Sequence, residues 1–445
     1  MGTLFGTILA FLIVFGVLVF IHEFGHFFTA KLVGIRVETF SFGYGKRLFG
    51  VKGKVTDYRV SLIPMGGYVK FLGEGALGTE GKADLPPDHF LAKKRWERFL
   101  VMVMGSVMNI LLAVLIFTII NIVGARVMAY QDEKPVIGYI EPDSPGQKAG
   151  LKLGDEILRI DKDRVKTWGD VEVAVGTKPD KIITVEVRRE GAVQSFELKT
   201  EKITRYALGY AGFTGEILTQ VRLVKPGSPA EKGGLNPGDL IQEVNGSPIY
   251  YFQFVELIEK SAGKKLQFSV ERNGRELTLE ITPRLEGKVG KIGILQEPQS
   301  ILKKFGPFAA FVQSLQENTK NVFLIVRFLR DLVVGRASTQ QLGGPLEIAS
   351  FSYAALQMGF MSLISWIGLI SLQLGVINLF PIPVFDGGQI FVLALEGLFR
   401  RDFSPKIRQI WMQVGFVIFV FLIVFVILND IVKRMPNGWE SLIPW

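Results

Sequence analysis

Four long apolar stretches constrain the fold of this chain more than any other feature. Stretches 4–21, 99–125 and 411–428 contain no charged residue, and stretch 348–395 contains one, Asp386. A helix of about 20 apolar residues spans the roughly 30 Å hydrocarbon core of a bilayer, where the backbone has to satisfy its own hydrogen bonds. We therefore predict a polytopic α-helical membrane protein with four transmembrane helices.

The amino-acid composition agrees with a membrane protein and excludes disulfide bonds and metal sites that use cysteine. Of the 445 residues, 48% are hydrophobic and none is cysteine. Disulfides and thiolate metal ligands are therefore excluded, so a metal site in this chain has to use histidine and carboxylate. The net charge is +9, and the basic residues cluster beside apolar segments, which indicates contact with anionic membrane lipid. Because no nucleic-acid-binding module is present, we expect no nucleic-acid partner.

The loop between the first two apolar stretches, residues 35–98, is rich in lysine and arginine and is predicted to be cytoplasmic. Both termini then lie on the outer side. Residues 37–42 and 55–62 have the composition of short strands, and the glycines near them are predicted to form turns and a bend: Gly43, Gly45, Gly50, Gly53, Gly66 and Gly67. We predict a membrane-associated β-hairpin sheet, which is either a surface hairpin only or an edge that pairs with an extended substrate. His89, in a polar part of this loop, is predicted to be exposed.

Residues 126–302 are more polar and contain an internal repeat. Ser144-Pro145 precedes Gly154-Asp155 in one copy, as Ser228-Pro229 precedes Gly238-Asp239 in the next. Each copy has the pattern of a strand, a short helix, a Gly-Asp turn and a strand, so we predict two small α+β domains, at 126–206 and 207–290. Both copies resemble PDZ domains of the bacterial periplasmic protease type. This resemblance implies either a groove that takes a peptide end as an added strand, or a lid or spacer without a ligand.

The other predicted boundaries follow from the apolar stretches and from the residues that interrupt them. Pro381, Pro383, Gly387 and Gly388 break the third stretch, and broken backbone at membrane depth has to lie in the protein interior. The predicted segments are a first transmembrane helix at 1–34, a second at 99–125, an amphipathic helical region at the membrane surface at 291–347, a third transmembrane segment with a broken end at 348–398, a cytoplasmic loop at 399–410, a fourth transmembrane helix at 411–432 and a C-terminal tail at 433–445.

The stretch His22-Glu23-Phe24-Gly25-His26 closes the first apolar run. Residues four apart lie on one face of a helix, so both imidazoles can reach one metal ion while Glu23 lies beside it. This pattern is typical of a zinc hydrolase, in which a carboxylate that does not bind the metal is the general base. Two packing histidines at a chance spacing are the alternative, but unpaired polar groups at this depth would be costly. We predict zinc as the cofactor, His22 and His26 as ligands and Glu23 as the catalytic base.

Catalytic zinc usually has three protein ligands, and Asp386 is the candidate for the third. It is the one charged residue in its apolar stretch, where a carboxylate is costly unless it is paired or bound to a metal. Its stretch enters from the outer side, as the first one does, so Asp386 falls at the depth of the histidines, near the cytoplasmic face. A helix cap before Gly387 is the alternative. Asn109, in the second helix, faces either the metal site or a neighbouring helix, and an interhelical hydrogen bond is its predicted role.

These motifs, with Asn378-x-x-Pro381-x-Pro383-x-x-Asp386-Gly387 near the end of the third span, resemble the site-2 protease family over nearly the whole chain. The resemblance implies intramembrane proteolysis, Asp386 as the third zinc ligand, and Asn378 as the group that holds substrate backbone near the metal. It also implies that the strands around residues 55–71 clamp the substrate as a sheet edge. The candidate substrate-binding residues are Asn378, Pro381, Pro383, Gly43, Gly66 and Gly67. One departure from the family pattern is Glu347, where a smaller or apolar residue is expected.

The expected function is zinc-dependent cleavage of single-span membrane proteins in or near their transmembrane segments, in a bacterial inner membrane. A prior cut on the outer side is the expected trigger, with an anti-sigma factor or signal-peptide remnants as examples of substrates. A non-enzymatic scaffold that binds peptide ends through the PDZ-like domains is the main alternative. A metal transporter would need more polar residues across its spans, and a merely anchored protease would not carry the metal motif inside an apolar run.

Overall fold

The computed structural model describes residues 2–73, 85–203 and 207–435, so the predicted C-terminal tail lies outside the described residues from position 436 onward. The helices are α1 Gly2–Leu32, α2 Arg95–Val123, α3 Pro145–Lys148, α4 Trp168–Gly176, α5 Pro229–Lys232, α6 Tyr251–Lys260, α7 Pro307–Val333, α8 Pro345–Gln357, α9 Phe360–Asn378, α10 Asp386–Leu398 and α11 Pro405–Val432. The strands are β1 Val37–Lys52, β2 Asp57–Phe71, β3 Ala125–Met128, β4 Tyr139–Ile140, β5 Glu156–Ile160, β6 Asp163–Arg164, β7 Ile182–Arg189, β8 Ala192–Lys199, β9 Glu201–Ile203, β10 Leu208–Tyr210, β11 Phe213–Thr214, β12 Thr219–Val224, β13 Leu240–Val244, β14 Ser247–Pro248, β15 Leu266–Arg272, β16 Arg275–Ile281, β17 Arg284–Glu286, β18 Val289–Lys291, β19 Ile294–Pro298 and β20 Ser300–Lys303.

Four helices of the described chain are long and apolar enough to cross a membrane. They are Leu4–Leu32, Arg95–Val123, Phe360–Asn378 and Lys406–Val432. Each coincides with one of the four apolar stretches, because an apolar run of this length can hide its backbone polar groups only in a helix. The chain divides into two compact units, and all four candidate spans and the β1–β2 hairpin belong to one of them.

Helix α2 lies at the centre of this membrane unit. A Cβ added at Gly25 of α1 would lie 2.5 Å from the carbonyl oxygen of Met104, so the two helices approach closely there. The Ser371 hydroxyl of α9 donates to the carbonyl of Asn109 at 2.8 Å, and the Ser314 hydroxyl of α7 donates to the carbonyl of Val114 at 2.8 Å. Small residues and interhelical hydrogen bonds of this kind hold helices together where apolar burial gives no advantage over lipid.

Helix α7, in the region predicted to be amphipathic, packs its small and polar face against α2. Ala310, Ser314 and Asn318 are buried, whereas the large side chains of Phe308 and Phe323 are exposed. This arrangement is the reverse of a helix on a soluble protein, since the apolar face points away from the protein. An apolar outer face of this kind suits contact with lipid acyl chains.

The segment predicted at 348–398 consists of three helices, α8, α9 and α10, and its predicted start lies inside α8. The backbone between α9 and α10 is tightly folded. Added Cβ atoms at Gly387 and Gly388 would lie 2.2 to 2.3 Å from the carbonyl oxygens of Leu379, Phe380 and Ile382. Only glycine fits at these two positions. Helix α10 begins directly after this tight segment, and Asp386 is its first residue.

The loop after α1 forms a longer sheet than predicted. The expectation that Gly43, Gly45 and Gly50 are turns between short strands is wrong, because β1 runs through all three with positive φ angles and shifts in register. Glycine can adopt such angles in a bulge, where the strand bends but continues. Segment 39–42 pairs with 57–60 on one side and with 67–70 on the other, so that 67–70 forms an edge of this sheet.

His89, predicted to be exposed, is buried. Its Nδ1 accepts a hydrogen bond from the backbone N–H of Leu91 at 3.1 Å, and its ring lies against Gly73. The prediction of exposure is therefore wrong, because His89 starts a short 3₁₀ helix, Phe90–Ala92, and caps it.

The second compact unit comprises residues 124–303 and 335–341. It contains a four-stranded sheet in the order β6-β5-β7-β8 and a larger sheet in the order β16-β15-β13-β12-β19, with β14 on β13. Each sheet has its own hydrophobic core, and these cores include Ala211 in the first domain and Ile292 in the second. Both residues lie just beyond the domain ends predicted at 206 and 290.

The repeat motif has the same local structure in both domains. Ser144 and Ser228 cap the short helices α3 and α5 with their side-chain oxygens. In the first domain the Asp155 carboxylate accepts two hydrogen bonds from Arg189, at 2.6 and 2.7 Å. Asp239 and Arg272 repeat this pair at the same distances. The sequence repeat therefore corresponds to a repeated arginine–aspartate contact that closes each Gly-Asp turn.

Glu347, the departure from the family pattern, is buried at the start of α8. Its carboxylate lies 3.1 Å from the Lys433 ammonium, which is also buried. Asp430 accepts hydrogen bonds from the backbone N–H groups of Gly344, Leu346 and Glu347. The charged residue is accommodated because the end of α11 supplies a cation for it and a carboxylate cap for α8.

Candidate metal centre

Helix α1 places His22 and His26 one turn apart on its buried face. Their Nε2 atoms lie 3.3 Å from each other, and the two rings are nearly perpendicular. Asp386 completes the group, with one carboxylate oxygen 3.2 Å from His22 Nε2 and the other 3.4 Å from His26 Nε2. Two segments more than 350 residues apart in sequence therefore meet at one point.

The donor set fits a catalytic zinc ion. Among the described residues, His22, His26 and Asp386 are the group of three histidine or acidic side chains whose ligand atoms all lie within 4.8 Å of one another. Two imidazole nitrogens and one carboxylate oxygen are a known set for catalytic zinc, which keeps a fourth position for water or substrate. The three atoms converge on one side, so they have the chemistry and the orientation that zinc requires.

The site lies at one depth along two helices. His22 is 10 residues before the end of α1, and Gly105 is 10 residues after the start of α2. At the usual rise per residue, both positions are about 15 Å from the helix ends that the 35–98 loop joins. The two positions therefore lie at the same level along the two helices.

Helix α2 contacts the three predicted metal ligands, and these contacts were not predicted from the sequence. The backbone of Gly105 faces both imidazoles, and an added Cβ there would lie 2.3 Å from His26 Nε2. His26 Nδ1 is 2.8 Å from the Val101 carbonyl, and the Ser106 hydroxyl donates to Asp386 at 3.3 Å. The available signal was the spacing of Val101, Gly105 and Asn109 at intervals of four, which places them on one helical face.

The side chain of Asn109 faces the metal group, which is the alternative to its predicted role. Its amide nitrogen lies 3.4 Å from Nδ1 of His22. The hydrogen bond from α9 goes to the backbone carbonyl of Asn109, not to its side chain. The rotation of α2 about its axis decides between these roles, and that rotation is set by packing.

Glu23 lies between the histidines and the hairpin sheet. Its carboxylate lies close to the backbone of Val69. A Cβ added at Gly67 would lie 2.9 Å from Glu23 Cγ, so this glycine is in direct contact with the predicted base. The edge segment 67–70 of the sheet thus runs beside Glu23, and the absence of a side chain at position 67 permits that approach.

The other predicted substrate-binding residues have different surroundings. Asn378 is half-buried at the end of α9, and within the described chain its amide has no hydrogen-bond partner. Pro381 is exposed, but Pro383 is buried against Gly415 of α11, a placement that does not support direct contact with substrate. Gly43 and Gly66 lie within the sheet, where Gly66 packs under the ring of Tyr44.

Comparison with known proteins identifies a matching family. A model described as "Peptidase family M50" matches residues 10–422. The "Regulator of sigma-E protease RseP" of Escherichia coli (strain K12) is 31% identical over 445 residues, covering 95% of this chain and 97% of its own. A "Putative zinc metalloprotease" of Vibrio cholerae is 30% identical, with 96% and 98% covered.

A solved PDZ domain of an SdrC-like protein from Listeria innocua also aligns with part of the chain. It is 26% identical, with a TM-score of 0.17, over 18% of this chain and 93% of its own. This match covers less than a fifth of the chain. The two domains are therefore described by their own strand pairing, as given above.

Proposed function

The chain belongs to peptidase family M50, and on this basis we propose that it cleaves single-span membrane proteins within or next to their transmembrane segments. It is a zinc metalloprotease of the site-2 type. The proposed setting is regulated intramembrane proteolysis in a bacterial inner membrane, after a first cut on the outer side. The printed name of the relatives, "Regulator of sigma-E protease RseP", supports an anti-sigma factor as a substrate. Signal-peptide remnants are a second proposed class of substrate.

The convergence of His22, His26 and Asp386 is the observation that carries this proposal. These residues would hold the zinc ion through two Nε2 atoms and a carboxylate oxygen, which already lie within 4.8 Å of one another. When bound, zinc supplies a Lewis acid that polarises the peptide carbonyl and acidifies water. A carboxylate and two histidines in an apolar bundle are stable together because each offsets the burial of the others.

Glu23 is the general base and then the general acid. It takes a proton from the attacking water, and it delivers that proton to the nitrogen of the leaving amine. Its position between the histidines and Gly67 supports this role, because it borders both the metal group and the edge strand. Its contact with the backbone of Val69 restrains the carboxylate while leaving it beside the substrate.

Residues 67–70 and Asn378 bind the substrate backbone. A helical substrate hides its peptide bonds in intrahelical hydrogen bonds, so it has to unwind before cleavage and find new partners. The edge of the hairpin sheet offers main-chain partners for an added strand. The amide of Asn378, free of other partners within the described chain, offers a further donor and acceptor.

The tandem PDZ-like domains restrict access from the outer side. Substrates with a large outer domain are hindered until another protease removes that domain. The basic 35–98 loop, which predicts a cytoplasmic position, supports placing residues 126–290 on the opposite face.

Purified protein reconstituted in detergent with a single-span substrate tests the chemistry. We expect Glu23→Gln to retain bound zinc and to lose about 10²- to 10⁴-fold in cleavage rate, since only the proton transfer is removed. Asp386→Asn is expected to lose zinc and activity together. Normal cleavage by Glu23→Gln would overturn the proposed mechanism.

A deletion of residues 129–299 tests the access role. A short turn would then join β3 to β20, which pair with each other in the full chain. We expect this variant to cleave an intact substrate with a bulky outer domain, which the full chain leaves uncut. Equal rejection of the bulky substrate by both proteins would rule out a role in access, provided that both cleave the trimmed substrate.

A further inference from the structure

The side-chain amide of Asn109 is committed to one partner, the metal-binding histidine His22. Asn109 is 0% exposed, and its amide nitrogen lies 3.4 Å from His22 Nδ1. The buried Oδ1 has no hydrogen-bond partner among the described residues. A buried amide without water is costly unless its hydrogen bonds are made. The contact with His22 is therefore the polar interaction that explains an asparagine at this position.

The positions of the other two predicted ligands, His26 and Asp386, indicate which nitrogen of His22 carries the proton. Nε2 of His22 faces Nε2 of His26 and the Asp386 carboxylate, at 3.3 and 3.2 Å. A neutral imidazole binds a metal through the nitrogen without hydrogen, so a ligating Nε2 requires the proton on Nδ1. That Nδ1–H then needs an acceptor on the side away from the metal.

His26 shows the same requirement met by the backbone. Its Nδ1 lies 2.8 Å from the carbonyl oxygen of Val101, which can only accept. The carbonyl therefore holds His26 as the Nδ1–H tautomer, with Nε2 free to bind. Val101 and Asn109 are eight residues apart on the same face of α2, so one helix contacts both imidazoles from behind.

We propose that Asn109 is a positioning residue whose amide oxygen accepts the Nδ1 proton of His22 and thereby fixes the zinc-binding tautomer. The proposal rests on the ligand set of the proposed function. The neighbours of Asn109 do not fix the amide orientation, because the atom that points away from His22 has no hydrogen-bond partner among the described residues. The tautomer of His22 selects the amide orientation. A 180° rotation of the Asn109 amide places its Oδ1 beside His22 Nδ1, where the amide nitrogen now lies.

Zinc affinity of the full-length protein in detergent, measured by competition with a chelating dye, tests this assignment. Asn109→Leu keeps the volume but removes the acceptor, and we expect about 10- to 100-fold weaker zinc binding, as for other outer-shell partners of metal ligands. Asn109→Asp keeps an acceptor and has no N–H donor. It creates a carboxylate–histidine–zinc arrangement, so its zinc affinity should match or exceed that of the wild type.

Asn121 supplies the matched control. It is a buried asparagine on the same helix, and its amide contacts Glu317 instead of the metal group. Asn121→Leu should leave zinc affinity unchanged. The ligand set is tested separately with His22→Ala, whose failure to weaken zinc binding would contradict the proposed function itself.

Two results would overturn the role of Asn109 while leaving the ligand set intact. One is unchanged zinc affinity in Asn109→Leu. The other is an Asn109→Asp variant that binds zinc at least 10-fold more weakly than the wild type, which would indicate that the amide donates to His22 or acts only through packing. The aspartate variant decides the question by itself if the leucine variant does not fold.

Discussion

At the scale of single residues, two glycines determine how closely the backbone approaches the catalytic group. Gly105 of α2 faces the two imidazoles, and Gly67 of the sheet edge faces Glu23. Neither has a positive φ angle, so both are required for space and not for backbone conformation. Gly105 contacts the predicted metal ligands and Gly67 contacts the predicted base, so their substitutions should have different effects.

We predict that Gly105→Ala weakens zinc binding by at least about 10-fold. The new methyl group would lie 2.3 Å from His26 Nε2 and 2.9 Å from His22 Cε1, so it displaces the metal-binding rings. Chelator competition measures the effect. Gly397→Ala in α10, where an added Cβ meets no atom within 4 Å, is the control and should bind zinc normally. Equal affinities in the two variants would contradict this reading of Gly105.

For Gly67→Ala we predict retained zinc and a cleavage rate lower by about 10²-fold. The methyl group would meet Glu23 Cγ, the Ser41 carbonyl and a Val19 methyl at 2.9 Å, so the base or the edge strand has to move. A displacement of about 1 Å is enough for a loss of this size. Measuring zinc content and cleavage on the same sample separates this effect from that of Gly105→Ala. Loss of zinc in Gly67→Ala would argue against it.

At the scale of elements, α10 is the part of the site that most needs support, because it begins at Asp386 directly after a broken segment. Glu396, near its other end, is 1% exposed and accepts hydrogen bonds from the Arg408 side chain at 2.5 and 3.1 Å. The buried guanidinium of Arg98 lies 3.9 Å from the same carboxylate. Glu396 therefore joins α10 to α11 through Arg408 and to the start of α2 through Arg98.

Removal of this anchor should destabilise the membrane unit and weaken the zinc site. We predict that Glu396→Ala lowers the free energy of unfolding by roughly 3–5 kcal/mol, because it removes the buried carboxylate that the buried Arg98 and the half-buried Arg408 share. Thermal unfolding in detergent and zinc competition measure the two effects. Glu280→Ala, which breaks an exposed pair with Lys265, is the control and should cost at most about 1 kcal/mol. Similar midpoints for the two variants would show that the anchor contributes little.

At the scale of the whole molecule, the contact between Arg189 and Asp155 links the stability of the first PDZ-like domain to pH. Burial of Asp155 opposes its ionisation, but the hydrogen bonds from Arg189 and from the Lys152 backbone hold its pKa below the usual value. A lowered pKa in the folded state contributes stability above the unfolded pKa, near about 4. This contribution is lost as the pH falls through the folded pKa.

We therefore predict that Asp155→Asn lowers the unfolding midpoint of the first domain by the same amount from about pH 5 to pH 8. The difference from the wild type should shrink below about pH 4, where the carboxyl of the unfolded chain takes up a proton, and it should vanish once the pH is below the lowered pKa of the folded state. Fluorescence of the buried Trp168, with the other tryptophans replaced by phenylalanine, reports on this domain. Glu197→Gln, at an exposed position, should have no such effect. A difference that persists at low pH would contradict the linkage.

The sequence permitted prediction of the family, the zinc chemistry and the residues that meet at the site, for identifiable reasons. His22 and His26 are four apart at the end of a charge-free run, and Asp386 is the one charged residue of another apolar stretch. Polar groups are costly at membrane depth, so these residues could be identified from the sequence. The family match confirms the prediction of a site-2-type zinc metalloprotease. The contacts of Gly105, Ser106 and Asn109 could not be predicted, since they depend on how α2 is rotated against α1.

By itself, the sequence determined which segments are long and apolar enough to span a membrane and which polar groups are placed among them. Burying an unpaired charge in lipid costs so much that these features can be recognised without a structure. Only the tertiary structure decided that β1 continues through its glycines, that Pro383 packs inward and that Asn109 faces His22. These outcomes depend on close packing between segments distant in sequence, which local patterns do not encode.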